Sequence, residues 1–332
     1  MPRALVTGGT GLVGSHVVER LVRDGWIVRV LVRSHSRMIE TLGGECVIGD
    51  VLDADGFARG AAGCEAIFHT AAAITPRGGW ESFRRVNLDG TSHAIGAAKA
   101  AGARLVHLSS VAVYGPSGRY RNDGSKTDET TPLAPLPDGA HYARSKRESE
   151  ELVMRAHSTG EIWATALRPT VIYGKRDRQF VPRMGRMLSR GFAPLIGGGG
   201  AIFSLVHAEN VADGVVRAAT SEVAGGRAYN LANDFEVTVR RFYELAAEGL
   251  GKRVRLVKLP LPVARGALRA VKAVSRALTG GALSIVSSAS LSLLTRDNPF
   301  TSERARDDFG WAPTVHPEVG VPEAFRWWRE HR

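Results

Sequence analysis

The chain has 332 residues, 44% hydrophobic and 23% charged, a balance that suits a folded protein with a full core and excludes extended disorder. At this length one large domain or two closely joined ones are expected, with room for both a cofactor and a substrate. The formal charge is +11, yet the basic residues are scattered, with only short clusters such as Arg84-Arg85, Arg240-Arg241 and Lys252-Arg253-x-Arg255. That dispersal argues against nucleic-acid binding and for a basic surface that attracts anionic cofactors.

In chain order, short β-branched runs at 4–7, 27–32, 45–48, 66–70, 105–108 and 164–167 alternate with helical patterns. This alternation predicts an α/β fold with a doubly wound parallel sheet of Rossmann type. The first strand runs into Thr7-Gly8-Gly9-Thr10-Gly11-Leu12-Val13-Gly14, which opens a helix over 12–23. A strand-to-helix turn of this kind lays a pyrophosphate on backbone N–H groups at the positive end of the helix dipole. Gly8, Gly11 and Gly14 are needed because a Cβ would block the turn, the phosphate or the helix–sheet contact. The spacing is GxxGxxG, and Thr10, Leu12 and Val13 complete the cradle with their backbone.

The second strand ends at Val32-Arg33-Ser34, with Arg33 nineteen residues after Gly14. A carboxylate here would accept hydrogen bonds from an adenosine 2′-OH, whereas Arg33, with Ser34 and Arg37 nearby, suits a 2′-phosphate. NADP(H) is therefore expected, with NAD(H) as the other option. After the third strand, Gly49-Asp50-Val51-Leu52-Asp53 places Asp50 to accept from an adenine amino group, with Val51 beside it, or alternatively to cap the next helix, a role Asp53 fills equally well. A helix closing near Ala101 has Gly102 as its C-cap, and residues 115–139 read as a long, functional loop.

Leu108-Ser109-Ser110 brings hydroxyls to the carboxyl end of the fifth strand, where ligands bind in such sheets. Tyr142 and Lys146 lie four apart near the start of a helix running to about Ala156, and so share a face. Ser149, Val153 and Ala156 continue that stripe, and Arg144, Arg147, Glu148, Glu150 and Glu151 are expected to point away. An ammonium beside a buried phenol lowers its pKa, so Tyr142 is the expected proton donor or acceptor, tuned by Lys146. Ser110 polarises the reacting oxygen, and Ser109 lies nearer the cofactor. Beyond Arg168 the alternation loosens. Four consecutive glycines, 197–200, read as a turn, 260–278 as an amphipathic helix suited to a lid rather than to contact with a membrane surface, and 317–330 as a terminal helix packed through Trp327-Trp328. The dinucleotide-binding domain is expected over 1–168, with 169–332 a smaller substrate-binding region that interleaves with it.

These motifs in order, TGGTGLVG from Thr7, GDVLD from Gly49, FHTAAA from Phe68, VNLDGT from Val86, HLSSVAVYG from His107, YARSK from Tyr142 and LRPTVIYG from Leu167, resemble an extended short-chain dehydrogenase/reductase of the NAD(P)-dependent epimerase/dehydratase superfamily over nearly the whole chain. The resemblance implies that Thr70, Ala71 and Ala72 line the cofactor, that Asn87 supports them, that Pro169, Thr170 and Val171 pass the nicotinamide, and that Ser110, Tyr142 and Lys146 form a triad. Ser204 to Asp213 and Phe309-Gly310-Trp311-Ala312-Pro313 are similar to the 3β-hydroxysteroid dehydrogenase and dihydroflavonol reductase branch. Nucleotide-sugar members have an asparagine where this chain has Val171, and epimerases and steroid dehydrogenases commonly have an acidic residue where it has Arg33.

Other chemistries find little support. No histidines are spaced i, i+4, no GxSxG elbow is present, and no metal site is expected; His69 and His107 read as core groups. Two cysteines without CxxC spacing, no apolar run near the ~18–20 residues of a membrane span, and a first strand that leaves no space for a cleaved leader predict a cytoplasmic protein. A homodimer is common among relatives. The expected activity is NADP(H)-dependent reduction of a ketone or aldehyde, or the reverse oxidation, on an apolar steroid-like or aromatic molecule. The alternatives are an NAD-dependent nucleotide-sugar epimerase or dehydratase, and a cofactor-binding regulatory or RNA-associated protein.

Overall fold

The computed structural model describes residues 1–74, 78–120, 123–267, 269–270 and 288–332. Seven parallel strands form the main sheet in the order β10-β6-β5-β4-β1-β2-β3. They are β1 (Arg3–Thr7), β2 (Ile27–Val32), β3 (Glu45–Ile48), β4 (Ala66–His69), β5 (Arg104–Leu108), β6 (Ala164–Pro169) and β10 (Ala228–Leu231). The central strands are almost wholly apolar because helices cover both faces: Ala4, Leu5 and Val6 are buried throughout. The expected strands recur within a residue or two, and β10 joins the sheet edge from the second half of the chain. The order reverses between β1 and β4, and the crevice at their carboxyl ends is where ligands bind in doubly wound sheets.

Two small parallel pairs, β7 (Val171–Tyr173) with β9 (Leu205–His207) and β8 (Phe192–Ile196) with β11 (Arg255–Leu259), extend this frame. Helix Ala208–Thr220 packs back against helix Leu12–Arg23. The two motifs that carry the steroid-dehydrogenase resemblance interlock here. Trp311 is fully buried and its Nε1 donates to the Asn210 carbonyl (2.9 Å), while Asn210 Oδ1 accepts from the Thr314 and Val315 N–H groups. A second apolar cluster joins helices Phe180–Leu188, Val239–Leu250 and Pro317–Glu330. The four-glycine stretch is a 3-10 turn over Gly197–Gly199 with three positive φ angles. Of the amphipathic stretch 260–278, residues 261–267 and 269–270 are helical, and residues 268 and 271–278 lie outside the described residues. Among the described residues no helix is long and apolar enough to cross a membrane.

Candidate active site

The glycine turn has the geometry that anion binding requires. The Gly8 carbonyl accepts from Gly11 N–H (2.8 Å), and Gly11 caps helix Leu12–Arg23 without any side chain. The first intrahelical bond runs from Ser15 N–H to Gly11 O (3.1 Å), so the N–H groups of Leu12, Val13 and Gly14 have no acceptor in their own helix. No acidic side chain occupies the first turn, which leaves the positive dipole end uncompensated. Gly8 takes φ +70°, and a Cβ on it would fall 2.7 Å from Ala71 N. A Cβ on Gly14 would fall 2.2 Å from Gly8 O and 2.7 Å from Thr70 Oγ1. The turn is thus pressed against the end of β4, where Thr70 Oγ1 donates to Thr7 O (2.6 Å). These cradles fit a dinucleotide pyrophosphate. Gly14→Ala is expected to abolish dinucleotide binding and to destabilise the fold by ~1–3 kcal/mol, because the obstruction is backbone. Gly11→Ala, which meets only Gly8 O at 3.1 Å, costs less stability; fluorescence titration with cofactor and urea unfolding of both variants check this.

Arg33 and Ser34 are exposed at the end of β2, with Arg37 in the first turn of the next short helix. Asp50 Oδ1 accepts from Leu52 N–H (2.9 Å) in a local turn, and Asp53 stands at the N-cap of helix Ala54–Ala61. Val51 O is held by His93 Nδ1 (2.8 Å). Asn87 lies in a π-helical turn, Arg84–Asp89, a device frequent at functional sites. Its Oδ1 accepts from Ala73 N–H (2.7 Å), and its Nδ2 donates to Ala73 O (3.0 Å) and Ser145 Oγ (2.8 Å). One amide therefore ties the 70–73 segment to the Tyr142 helix. Pro169 and Thr170 are buried where β6 ends, and Thr170 Oγ1 is enclosed without a hydrogen-bond partner, while Val171 is half-buried at the start of β7.

Ser110, Tyr142 and Lys146 come together at the carboxyl end of β5. Ser110 is extended, caps a short 3-10 turn by accepting from Ala112 N–H (3.2 Å), and lies beside the Tyr142 phenol, whose pKa it lowers. Lys146, on helix His141–Ser158 one turn beyond Tyr142, is buried and donates to Leu108 O (2.6 Å). Burial brings its ammonium down to about 8, against the opposing pull of the Glu150 carboxylate. The phenol departs from expectation. Burial raises the Tyr142 pKa, only Ser110 opposes it, and Lys146 spends its contact on a backbone carbonyl.

Two further expectations are corrected. Ser109 does not present its hydroxyl toward a cofactor; its Oγ donates to Glu150 Oε2 (2.5 Å) inside the core. Glu150 and Arg147 do not point outward. Glu150 is buried and bonds Arg168 Nε (3.1 and 3.0 Å) and Nη2 (2.5 Å), and Arg168 Nη1 donates to Tyr114 OH (2.9 Å). Arg147 is half-buried, clamping the carbonyls of Val113 and Ala134 below the 115–139 loop. The signal for Glu150 was present, since it continues the i, i+4 row from Tyr142 through Lys146. His69 and His107 stack at 5.7 Å, bond Thr7 Oγ1 and Ser149 Oγ, and are held neutral by burial, His69 down to about 3. Among the described residues no cluster of His, Cys, Asp and Glu could hold a metal ion.

Residues 4–232 match the NAD dependent epimerase/dehydratase family. The chain belongs to that family. It is 31% identical over 325 residues to a 4-hydroxy-2-methyl-3-oxo-4-farnesyl-3,4-dihydroquinoline-1-oxide ketoreductase of Stigmatella aurantiaca, covering 96% of this chain and 94% of the relative. It is 28% identical over 334 residues to a 3 beta-hydroxysteroid dehydrogenase/Delta 5→4-isomerase of Mycobacterium tuberculosis, covering 97% and 89%. Among solved structures, a dTDP-glucose 4,6-dehydratase from Streptomyces venezuelae with NAD bound is similar, with a TM-score of 0.75 at 25% identity over 99% of this chain and 98% of that one. The protein is an NAD(P)-dependent oxidoreductase of the extended short-chain dehydrogenase/reductase type.

Proposed function

We propose that the protein reduces a ketone on an apolar, cyclic small molecule with NADPH, or runs the reverse oxidation, through Ser110, Tyr142 and Lys146. The reading rests on one juxtaposition: Ser110 stands beside the Tyr142 phenol at the end of β5, with the Lys146 ammonium buried one helical turn behind it. Nicotinamide, when bound, supplies or accepts the hydride. Ser110 then donates to the substrate oxygen, and Tyr142 gives that oxygen its proton. A phenol whose pKa is raised by burial is fully protonated at neutral pH, which favours the reducing direction. Lys146 holds the phenol side of the pocket positive and would also hold the cofactor ribose. Two relatives named for acting on ring systems, one a farnesylated dihydroquinoline oxide and one a steroid, support a cyclic substrate with a large apolar part. Val171 in place of asparagine tells against a nucleotide sugar. The unpaired thiols of Cys46 and Cys64 are consistent with a cytoplasmic enzyme, and the family resemblance with a homodimer.

Cofactor choice is assigned to Arg33. Its exposed guanidinium at the end of β2 suits a 2′-phosphate, and a charged hydrogen bond of this kind contributes ~1.5 kcal/mol, about tenfold in affinity. Arg33→Ala is expected to weaken NADPH about tenfold and leave NADH unchanged, as measured by fluorescence titration. Equal or tighter NADH binding by the unaltered protein removes the role. A panel of cyclic and long-chain ketones assayed with NADPH tests the substrate class.

A further inference from the structure

A cavity of about 810 Å³, within the size range of small-molecule sites, is lined by none of Ser110, Tyr142 and Lys146. Its walls are two helices, Phe180–Leu188 and Pro317–Glu330, with the segment before the first and the residues after the second. Arg176, Arg178, Arg186 and Arg332 line it, together with Trp327 and Trp328. Arg178 and Arg186 are exposed and have no carboxylate partner among the described residues. Arg176 differs: its guanidinium bonds Ser15 Oγ (2.9 Å) and Glu19 Oε2 (2.6 Å) on the glycine-turn helix, which neutralises it.

The lining offers these cations little negative charge. Asp177 is the one carboxylate side chain among the lining residues, and it is buried, accepting the N–H groups of Gln179, Phe180 and Val181 at the start of the first helix. Ser189 adds a hydroxyl that is enclosed and unpartnered. Met38, Pro182, Trp327 and Trp328 supply its apolar surface, the two indoles its flat faces. Trp328 packs so closely on Gly185 that a Cβ there would fall 2.3 Å from its ring, and the Arg332 guanidinium lies 5.7 Å from the centre of that ring. Trp327 stacks on His331 at 4.4 Å and is half-buried. Unpaired guanidiniums take phosphate oxygens in paired hydrogen bonds, and indole faces take flat rings.

We propose that this cavity is a second ligand site, which takes an organic polyphosphate carrying a flat ring, with the phosphates on Arg178 and Arg186 and the ring against Trp327. Met38, in the short helix after Arg33, also lines it, so the site neighbours the adenosine end of the cofactor cleft without sharing the catalytic group. The test uses protein saturated with whichever dinucleotide the Arg33 titrations select, with ATP and inorganic triphosphate as probes in calorimetry and tryptophan fluorescence. One ATP per chain is expected to bind and quench the emission. The Arg178→Ala/Arg186→Ala variant is expected to weaken both probes at least tenfold while dinucleotide affinity stays unchanged. Trp327→Ala is expected to weaken ATP several-fold and leave triphosphate as it was. Failure of both probes to bind the saturated protein overturns the proposal, as does binding indifferent to the two arginines. Binding of anionic phospholipid vesicles with ATP inert also overturns it, in favour of a basic surface patch.

Discussion

Tyr142→Phe is expected to lower kcat for ketone reduction by about 10²- to 10⁴-fold, the usual contribution of a positioned acid, while dinucleotide affinity is unchanged. The phenyl ring fits the same space between Phe83 and the substrate side of the helix, so loss of the hydroxyl is the only chemical change. Ser110 then loses its phenol neighbour but keeps its bond to Ala112 N–H, and the end of β5 retains its shape. A companion Ser110→Ala variant should lose less, because the proton source remains. Single-turnover reduction of a ketone by bound NADPH reads the chemical step directly. Full turnover by the Tyr142→Phe protein would remove the proposed mechanism, and full activity in cells despite lost turnover would point to a regulatory role instead.

The sheet and the glycine turn were legible because their signals are local. A strand of buried residues followed at once by Gly8, Gly11 and Gly14 admits few other readings, and the close approaches of Gly8 to Ala71 and of Gly14 to Gly8 show why each Cβ is excluded. The i, i+4 pair of Tyr142 and Lys146 was legible for the same reason. What failed was the sense of charged residues. Glu150 and Arg147 were read as solvent-facing because charge is ordinarily exposed, and nothing nearby in sequence shows that Arg168, eighteen residues on, arrives beside Glu150. That meeting is made by β5–β6 pairing, which sets Leu108 against Leu167 and so brings Ser109 and Arg168 to one sheet edge. The sign of the phenol pKa is not legible from spacing, because proximity along a helix does not give direction: Lys146 turns to Leu108 O, and desolvation dominates.

Glu150→Ala is expected to destabilise the protein by about 3–5 kcal/mol, since it leaves the Arg168 guanidinium buried without its counter-charge. Both members of the pair are less than a tenth exposed, and among the described residues Tyr114 OH is the one other group to which the Arg168 head donates a hydrogen bond. Where the alanine variant fails to fold, Glu150→Gln keeps the shape and one oxygen that accepts from Arg168, turns the other acceptor into an amide N–H that can donate to Ser109 Oγ, and removes the charge. Its signature is in the pH profile. Lys146 titrates near 8, and Glu150 is the group that holds it from falling further. If the ammonium is required, kcat/KM falls as pH rises through about 8, and in Glu150→Gln that limb moves to lower pH. Stability moves the other way. Between about 8 and the ordinary 10.5 the unfolded chain binds the Lys146 proton and the folded chain does not, so the cost of burying the charge is relieved as pH rises across that window and is fully present below it. Urea unfolding at pH 7 and 9.5, beside kcat/KM from pH 6 to 10, separates the two effects. An unmoved alkaline limb in Glu150→Gln would show that the Glu150–Arg168 pair serves the fold alone.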